Sequence, residues 1–562
     1  MGCCSRGWWF DVLWVLAFGL ASSAWCLTAA TKLGATFDEP FYLNAGMTAW
    51  RTGSNKLMMS SGTMPLTIDV QTLPIYLWER QRGQEFHVYK DFETILPVAR
   101  AATLVFWWPL LVYAMLLGRT FGGPWAGRLA VGFIACDPNF LGHASLATTD
   151  IAIVASMLAL IYHYFHGQAK GWGRRVVLPG VLFGVATLTK ASGMVFGVQA
   201  ILVLGFIHLY QRGELFASRG TSLREQLIHV WHTCFQLRKD VFWIMLIGFT
   251  LTFAYVGCDW GVEGSFVEWA DELPAGSLKE TMVPLSHNLT IFPNAGEALA
   301  QQIRHNIRGH GTFLLGHYYE RATPVYFPIA LTIKTPAPML ALLLTVMMIR
   351  PRNLLTPIGG VALMLLAFSL NCRVQIGIRF MFTLMGVGYV TLAVAAVRTW
   401  NEPGNGRFIP RWFVGTLLAI MAGTAAWVWP HGLSYTNQLW GGVEHGYRHL
   451  SDSNYDWGQG LPALKEWNRE HNNGQQLAIW YFGTDPAILF PPFKAVYVNG
   501  LIAGTPEELR AAAGTRYFAV STSLLYGHES ELPGHMAALK RFRDAKPVGR
   551  TQHFFIYDLD EI

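Results

Sequence analysis

Phe37-Asp38-Glu39-Pro40 places two adjacent carboxylates directly after the first long apolar segment, where a membrane span should end. The residues that follow, 41–84, are too polar for a second span and too many for a short loop. They mix tryptophans and tyrosines with prolines and scattered charges, which predicts amphipathic helices lying along a membrane surface. Placing carboxylates at the end of a membrane span costs free energy, so acids at such a position often have a function. Asp38 with Pro40 close behind also fits an ordinary helix cap, and both readings stay open.

The composition predicts a polytopic membrane protein. Of 562 residues, 52% are hydrophobic and 14% are charged, which leaves room for one soluble domain beside the spans. The net charge of +6 is uneven, because residues 1–430 carry +9 and residues 431–562 carry −3. The positive excess clusters in short loops, so it indicates membrane orientation rather than nucleic-acid binding. The seven cysteines lack zinc or disulfide spacing, and without a Walker loop ATP-driven transport has no support.

Eleven apolar runs are long enough to predict membrane spans. They fall at roughly 8–30, 95–118, 124–141, 149–166, 175–189, 192–210, 240–258, 325–349, 354–370, 379–397 and 412–430. The first has no cleavage site and is interpreted as an anchor. Basic residues follow the fourth, sixth, eighth and tenth runs, which places all these loops in the cytoplasm if the N-terminus is cytoplasmic. The outer side then carries the first outer loop (residues 31–94), the second outer loop (259–324) and everything after Pro430.

Residues 431–562 alternate helical and extended patterns, which predicts a small extracytoplasmic α/β domain after a transmembrane domain of residues 1–430. Helices are expected at 461–471 and about 535–543, and strands at 477–482, 495–499, 517–521 and 553–557. Thr505-Pro506-Glu507-Glu508 has the N-cap residue, the N1 proline and the N3 acid of a helix start.

Charged residues at the outer ends of the apolar runs form the candidate site: Asp38, Glu39, Asp150, Lys190, Lys334 and Arg379. Each has a plain structural reading on its own, because a lysine can snorkel and an aspartate can cap a helix. Together they place carboxylates and cations at one membrane face. Cations there would stabilise a phosphate, and a carboxylate can deprotonate an attacking hydroxyl. Such a site suits a substrate that is both a lipid and an anion.

A second set of candidates lies in the stretch 450–459. Asp452, Asp456 and Trp457 would bind an acceptor, or the acids and asparagines would simply stabilise a turn. His305, His310 and His317 lack a compact metal-ligand spacing, so a zinc site there is disfavoured.

Several motifs resemble the membrane glycosyltransferases of the GT-C superfamily, in the branch of the protein O-mannosyltransferases and the lipid A aminoarabinose transferase. The first is Phe37-Asp38-Glu39-Pro40 followed by Ala45-Gly46 and Arg51-Thr52-Gly53. The others are Thr148-Thr149-Asp150, Leu188-Thr189-Lys190, Arg304-His305-Asn306 with Gly309-His310, Lys334-Thr335-Pro336, Ile376-Gly377-Ile378-Arg379 and the stretch 447–459. They cover most of the chain in order, and the stretch 447–459 is the most specific.

The resemblance implies a sugar donor on a polyprenyl phosphate and a reaction that inverts the anomeric centre. It assigns the catalytic base to Asp38, with Glu39 beside it, and gives Asp150 the second acidic position. Lys190, Lys334 and Arg379 would handle the phosphate. One departure concerns a His-Pro-Pro-Leu or Lys-Pro-Pro-Leu run that relatives carry in the first loop. Here it reads Thr63-Met64-Pro65-Leu66, so the basic group is missing.

The predicted function is therefore a lipid-phosphate-dependent hexosyl or pentosyl transferase, related to the mannosyltransferases, in a bacterial inner (plasma) membrane. Its partners would be the polyprenyl-phosphate sugar donor, membrane lipids and an acceptor that is a protein, lipid or polysaccharide; nucleic acid is excluded. The sequence assigns no cofactor, and a divalent cation between the carboxylates and the phosphate stays open. A transporter, or a relative that binds lipid phosphate without transfer, is the alternative. A transporter predicts midplane charges and repeated broken helices, whereas the charges here lie mostly at span ends.

Overall fold

The computed structural model describes residues 3–216, 222–257, 261–262, 264–291, 293–401, 408–498, 505–527 and 533–561. Up to residue 256 the described chain is mainly helical. Its helices are α1 (Cys3–Ala30), α2 (Glu39–Thr52), α3 (Lys56–Ser60), α4 (Leu66–Arg82), α5 (Phe92–Ala102), α6 (Leu104–Gly122), α7 (Pro124–Ala135), α8 (Pro138–Ala144), α9 (Asp150–Gly167), α10 (Leu178–Thr189), α11 (Ser192–Gln211), α12 (Leu223–Thr233) and α13 (Phe235–Val256). A π-helical turn, Gly173–Val177, leads into α10.

The second outer loop contains two small antiparallel sheets. Strand β1 (Gly261–Val262) pairs with β2 (Thr290–Ile291), and β3 (Thr312–Leu314) pairs with β4 (His317–Tyr319). The helices of this loop are α14 (Gly264–Asp271), α15 (Ser277–Asn288) and α16 (Pro293–Arg308). After it come α17 (Tyr326–Lys334), α18 (Ala337–Ile349), α19 (Pro357–Ser369), α20 (Phe382–Asn401) and α21 (Arg411–Trp427).

All eleven predicted apolar runs fold as helices, which confirms a polytopic helical architecture. Within the described residues, six helical segments are long and apolar enough to cross a membrane: Gly7–Ala30, Phe92–Gly122, Asp150–Gly167, Ser192–Gln211, Phe235–Val256 and Ile378–Asn401. The pair α17 and α18 makes a seventh if it is one span, although it is bent by 112°. The other runs form α7, α10, α19 and α21, each shorter than 18 residues. By length and composition, fewer than eleven runs are therefore complete spans.

Proline explains the bend between α17 and α18. Pro336 has no backbone N–H to continue α17, and it favours an extended conformation in the residue before it. Thr335 accordingly has φ −68° and ψ 130°. The bend leaves Lys334 at the last position of α17 and turns it into the protein interior.

The largest core cluster is built mainly by α6, α7, α9 and α20. Small residues let the first two of these helices approach closely, as is usual between membrane helices. A Cβ atom on Gly118 in α6 would lie only 2.6 Å from the Cα atom of Gly127 in α7. This core forms the rigid base on which the candidate site rests.

The first outer loop folds as the helices α2, α3 and α4, and their position along a membrane surface stays a prediction. One face of α2 buries Leu43 and Met47, while the other is partly exposed. Trp50 donates its indole N–H to the carbonyl oxygen of Asp69 in α4 at 2.9 Å. It also stacks on Tyr76, with 5.8 Å between ring centroids. The aromatic residues thus join the loop helices to one another.

The C-terminal part contains a five-stranded mixed sheet. Its strands are β5 (Leu477–Trp480), β6 (Phe493–Ala495), β7 (Tyr517–Ser521), β8 (Gly549–Arg550) and β9 (Phe554–Asp558), in the order β6-β5-β7-β9-β8. Strand β5 runs parallel to β6 and β7, and β9 runs antiparallel to β7 and β8. The surrounding helices are α22 (Gly442–His445), α23 (Leu461–His471), α24 (Pro506–Ala513), α25 (Thr522–Leu525) and α26 (Pro533–Asp544).

Residues of β5 alternate between two cores, as expected for a sheet covered on both faces. Ala478 packs with α24 and α26, and Ile479 packs with α23. The helix start at Thr505 is a capping box with Glu508, as predicted. The strand predicted at 495–499 instead ends at Ala495, and position 499 lies outside the described residues. The division into two domains at residue 430 stays a prediction.

Candidate active site

A cavity of about 660 Å³ lies where α2, the start of α11, α16 and the residues before α20 meet. Its charged lining residues are Asp38, Lys190, Arg304, Arg308 and Arg379. Among the described residues that line it, Asp38 is the only carboxylate. An excess of cations in a partly enclosed cavity favours an anionic ligand.

Asp38 faces this cavity and pairs with Arg379. The Arg379 Nη1 atom donates to Asp38 Oδ2 at 2.8 Å, and the Tyr42 hydroxyl donates to the same oxygen at 3.3 Å. Within the described part of the chain, Asp38 Oδ1 accepts no hydrogen bond. Asp38 does occupy the N-cap position of α2, but its side chain caps no backbone N–H. The helix-cap reading therefore does not account for this carboxylate.

Arg379 has hydrogen-bonding capacity left over. Its guanidinium lies 4.2 Å from the ring centroid of Trp457 and 5.2 Å from that of Phe380. The buried Nε atom has no hydrogen-bond partner among the described residues. An unpaired buried N–H is costly unless an anion or water receives it. Arg379 can therefore hold Asp38 and contact a bound anion at once.

Glu39 lies next to Asp38 in sequence but does not line the cavity. Its carboxylate is fully buried and forms a two-pronged pair with Arg100, at 2.7 and 2.8 Å. It also accepts backbone N–H groups from Thr36 and Ala147, both at 2.8 Å. Burial alone would raise the pKa of Glu39, but the charge and hydrogen bonds of Arg100 hold it below its usual range. The predicted pair of catalytic acids is thus divided between two environments.

Asp150 and Lys190 form a second ion pair at the cavity wall. Lys190 Nζ lies 2.6 Å from Asp150 Oδ1, and its side chain is 17% exposed. Asp150 is fully buried, and its other oxygen lies 3.1 Å from His143 Nδ1. Only Lys190 of this group lines the cavity. Asp150 therefore anchors the lysine and has no contact with the cavity itself.

Lys334 is held by backbone carbonyl oxygens. Its ammonium group is buried and donates to the carbonyl oxygens of Leu433 at 2.9 Å and Asn454 at 2.7 Å. It does not line the cavity. The predicted contact with a donor phosphate is not supported by this geometry, because the ammonium already fixes the chain that leads into the 450–459 stretch.

The stretch 450–459 lies beneath the Asp38–Arg379 pair. Asp456 accepts from the backbone N–H of Gly458 and Ser523 and from the Thr522 hydroxyl. Burial raises its pKa to about 7. Trp457 is 2% exposed and carries Arg379 on its ring. Asp456 and Trp457 therefore support the site from below its lining residues. For Asp456 this agrees with the alternative that the acids of this stretch stabilise a turn.

Asp452 lies beside the same pair without lining the cavity. Its backbone is in the left-handed region, with φ 55°, and its carboxylate accepts the N–H of Ser453. Burial raises its pKa to about 6, an effect that Arg379 opposes and Asp38 reinforces. An acceptor contact for Asp452, Asp456 or Trp457 stays a prediction.

The wall formed by α16 carries a pair of histidines. His305 and His310 have ring centroids 4.4 Å apart, and both line the cavity. Gln302 fixes this wall to the first loop by donating to the Gly62 carbonyl at 2.7 Å. Thr63, where a basic group was expected, also lines the cavity and directly follows the Gly62 that Gln302 contacts. Within the described ranges, no three His, Cys, Asp or Glu side chains cluster as a metal site would need, and the divalent-cation alternative stays open.

Sequence reasoning missed two contributors. Tyr42 lies four residues after Asp38 on α2, the spacing at which helix side chains meet, so it was within reach of a pattern argument. His143 precedes Asp150 by seven residues across a helix break, and no local pattern connects them. The short connection between α8 and α9 brings that pair together.

The comparison with protein families gives a match over part of the chain. Residues 90–235 match the model of the dolichyl-phosphate-mannose-protein mannosyltransferases. This confirms, over that part of the chain, the predicted resemblance to the protein O-mannosyltransferases. No protein of curated function matches the chain in sequence.

Solved structures of low sequence identity resemble the chain over between 48% and 97% of its length. ArnT from Cupriavidus metallidurans bound to undecaprenyl phosphate is 12% identical, with 97% of this chain and 98% of that chain covered and a TM-score of 0.46. The oligosaccharyltransferase AglB from Archaeoglobus fulgidus, in complex with an inhibitory peptide and a dolichol-phosphate, is 12% identical, with 92% and 70% covered and a TM-score of 0.44. The Pmt1–Pmt2 complex of S. cerevisiae bound to the sugar donor is 15% identical, with 48% and 37% covered and a TM-score of 0.31.

Proposed function

We propose, from the family match over residues 90–235 as the premise, that this integral membrane protein is an inverting glycosyltransferase. It transfers a hexose or pentose from a polyprenyl-phosphate donor to a hydroxyl-bearing acceptor. The observation that carries the proposal is the Asp38 carboxylate, paired with Arg379 and turned into a cation-lined cavity with one oxygen unpaired by described residues.

In the proposed reaction Asp38 is the general base. Its Oδ1 atom takes the proton of the acceptor hydroxyl. At the same time the hydroxyl oxygen of the acceptor attacks the anomeric carbon from the face opposite the phosphate. The bond from the anomeric carbon to the phosphate oxygen breaks, and its electron pair leaves with the polyprenyl phosphate. The products are the inverted glycoside, the lipid phosphate and protonated Asp38, which returns its proton to water. No ATP is consumed, since the phosphate is already a leaving group.

The cations serve the leaving group. Lys190 and Arg379 line the cavity and would offset the charge that grows on the departing phosphate. Arg379 would also aim Asp38 at the acceptor, while Asp150 holds Lys190 in place. Glu39, buried on Arg100, would orient the start of α2 rather than exchange protons. A rigid arrangement of this kind is what positioning in catalysis requires.

The placement in the cell belongs to the same proposal. The loop charges put the N-terminus in the cytoplasm and the sheet of the C-terminal part outside it. The cavity lies between the first and second outer loops and would then open on the extracytoplasmic side of a bacterial inner membrane. Residues 1–430 would form the transferase domain and residues 431–562 the extracytoplasmic domain.

Binding of lipid phosphate without transfer is the second candidate. Thr63 and Met64 line the cavity where relatives carry a basic group, which favours it. A transfer assay separates the two. Purified protein in lipid vesicles would receive radiolabelled polyprenyl-phosphate mannose, then other polyprenyl-phosphate sugars, with membrane extracts as acceptor. Label passing to an acceptor in the inverted configuration supports the transferase. Saturable binding of the donors with no turnover of any would establish the binding protein instead.

A further inference from the structure

The four residues before Asp38, 34–37, have no regular secondary structure and are held by the C-terminal part of the chain. The backbone N–H of Gly34 donates to the Gln459 carbonyl at 3.0 Å, and that of Phe37 donates to the Trp457 carbonyl at 2.8 Å. These partners lie more than 400 positions later in the chain. Asp38 therefore owes its position to residues far from it in sequence.

Asp485 and Thr484 complete this attachment. Asp485 Oδ2 accepts the backbone N–H of Ala35 at 2.7 Å, and its Oδ1 accepts that of Ala487 at 2.9 Å. The Thr484 hydroxyl donates to the carbonyl of Phe37 at 2.6 Å. Both carboxylate oxygens of Asp485 are thus committed, one to its own turn and one to the segment before Asp38.

Gly34 permits this close approach. A Cβ atom at position 34 would lie 2.7 Å from Asp485 Oδ2 and 3.0 Å from Pro462, both too close for an ordinary contact. Asp485 is itself 5% exposed. The buried residues Gly34 and Ala35 and this carboxylate are therefore fitted to each other, whereas the Thr484–Phe37 hydrogen bond is exposed.

The same C-terminal residues support the partner of Asp38. Arg379 rests on the ring of Trp457, and the adjoining Gly458 carbonyl accepts the Tyr481 hydroxyl at 2.6 Å. Asp456 ties this stretch to Ser523 beyond β7. Both members of the Asp38–Arg379 pair are therefore set by residues 456–485.

We propose that Asp485 is a positioning residue for catalysis, acting with Thr484 to fix segment 34–37 so that the Asp38 carboxylate meets both Arg379 and the acceptor. This inference rests on the proposed function. It gives the C-terminal part a role in the reaction that is separate from contact with either substrate, because neither Asp485 nor Thr484 lines the cavity.

The first test is Asp485→Asn. An amide has one acceptor oxygen where the carboxylate has two, so it can serve Ala487 or Ala35 but not both. We expect kcat to fall by about tenfold to 10², as a misplacement of about 1 Å in an active site does, with the donor KM changed less than about twofold. Thr484→Val should show the same pattern more weakly, and Thr484→Ser, which keeps the hydroxyl, should restore kcat. Thermal unfolding midpoints check that each variant is folded.

A double-mutant cycle with Asp38→Asn tests whether Asp485 acts through Asp38. Transfer is measured with the radiolabelled donor that the wild type turns over. If Asp485 acts through Asp38, Asp485→Asn should cause no further loss in the Asp38→Asn protein. An equal loss in both backgrounds, or a higher donor KM with unchanged kcat, would overturn the positioning role while leaving Asp38 as base. Full activity of Asp38→Asn alone would overturn the base assignment and, with it, this inference.

Discussion

Two carboxylates that are neighbours in sequence, Asp38 and Glu39, each pair with an arginine in different ways. Glu39 is fully buried in its pair with Arg100. The other N–H groups of Arg100 donate to the carbonyl oxygens of Ala30, Leu33 and Gly34. Asp38 is 23% exposed, and it keeps one oxygen without a described partner. An ion pair whose hydrogen-bonding positions are all filled stabilises the structure. A carboxylate that keeps one oxygen free of described partners at a cavity can still bind a ligand or exchange a proton.

The difference arises from the helix start. Asp38 occupies the N-cap and Glu39 the first helical position of α2, so their side chains leave the chain in different directions. Arg379 meets the first from the end of a span, and Arg100 meets the second from within α5. The comparison predicts that Asp38 governs the rate and Glu39 governs stability.

The largest effect should come from Asp38→Asn. Asparagine keeps the size of the side chain but cannot take a proton from the acceptor, so transfer should slow by about 10²–10⁴. Donor binding and the unfolding temperature should stay close to those of the wild type. Transfer of label is measured alongside donor binding on the same preparation. Asp91→Asn, a change at a half-buried position of the same loop that does not line the cavity, is the matched control. Loss of donor binding together with turnover would instead point to a phosphate or cation site at Asp38.

Glu39→Gln should act mainly on stability. It leaves the buried guanidinium of Arg100 without its counter-charge, a change that costs about 3–5 kcal/mol. We expect a lower unfolding temperature and a lower yield of folded protein, with kcat per folded molecule reduced much less than in Asp38→Asn. Thermal unfolding and active-fraction measurements test this. A stable Glu39→Gln protein with a rate as low as that of Asp38→Asn would transfer the role of base to Glu39.

Much of this arrangement was accessible from the sequence, and its limits have physical causes. Apolar length predicts the helical runs, and the Thr505 capping box is a local pattern. The orientation of adjacent acids is not local, because it depends on Arg100, which is 61 residues away from Glu39. The surroundings of Lys334 are not local either, since its carbonyl partners are 99 and 120 residues away.

Lys190→Ala tests whether the cavity around Asp38 also binds the donor phosphate. Removing one charged contact should weaken donor binding by about 1.5–3 kcal/mol, which is about tenfold or more. Acceptor affinity should change little, because the charge belongs to the donor. Lys190→Arg keeps the charge and should retain most of the affinity. Donor binding that is equal in Lys190→Ala and wild type would return Lys190 to a structural role as the partner of Asp150.

The smallest effect concerns a buried acid without a cationic partner. Burial raises the pKa of Asp456 to about 7, whereas Arg100 holds that of Glu39 below its usual range despite burial. A raised pKa means that the folded state holds its proton after the unfolded state has lost it. Stability from Asp456 is therefore present at low pH and lost as the pH rises to about 7. Glu39 has the opposite sign, since its contribution is present above the unfolded pKa and is lost as the pH falls.

Unfolding of the wild type and of Asp456→Asn, compared across pH, isolates this term. Asparagine does not titrate, so the variant should gain on the order of 1–3 kcal/mol relative to wild type between about pH 5 and pH 8. Its hydrogen-bonding oxygen is retained, which limits the loss at low pH. A difference between the two proteins that stays constant with pH would mean that Asp456 is ionised in the folded state throughout. The ion pair with an arginine would then not be the reason why the pKa of Glu39 differs from that of Asp456.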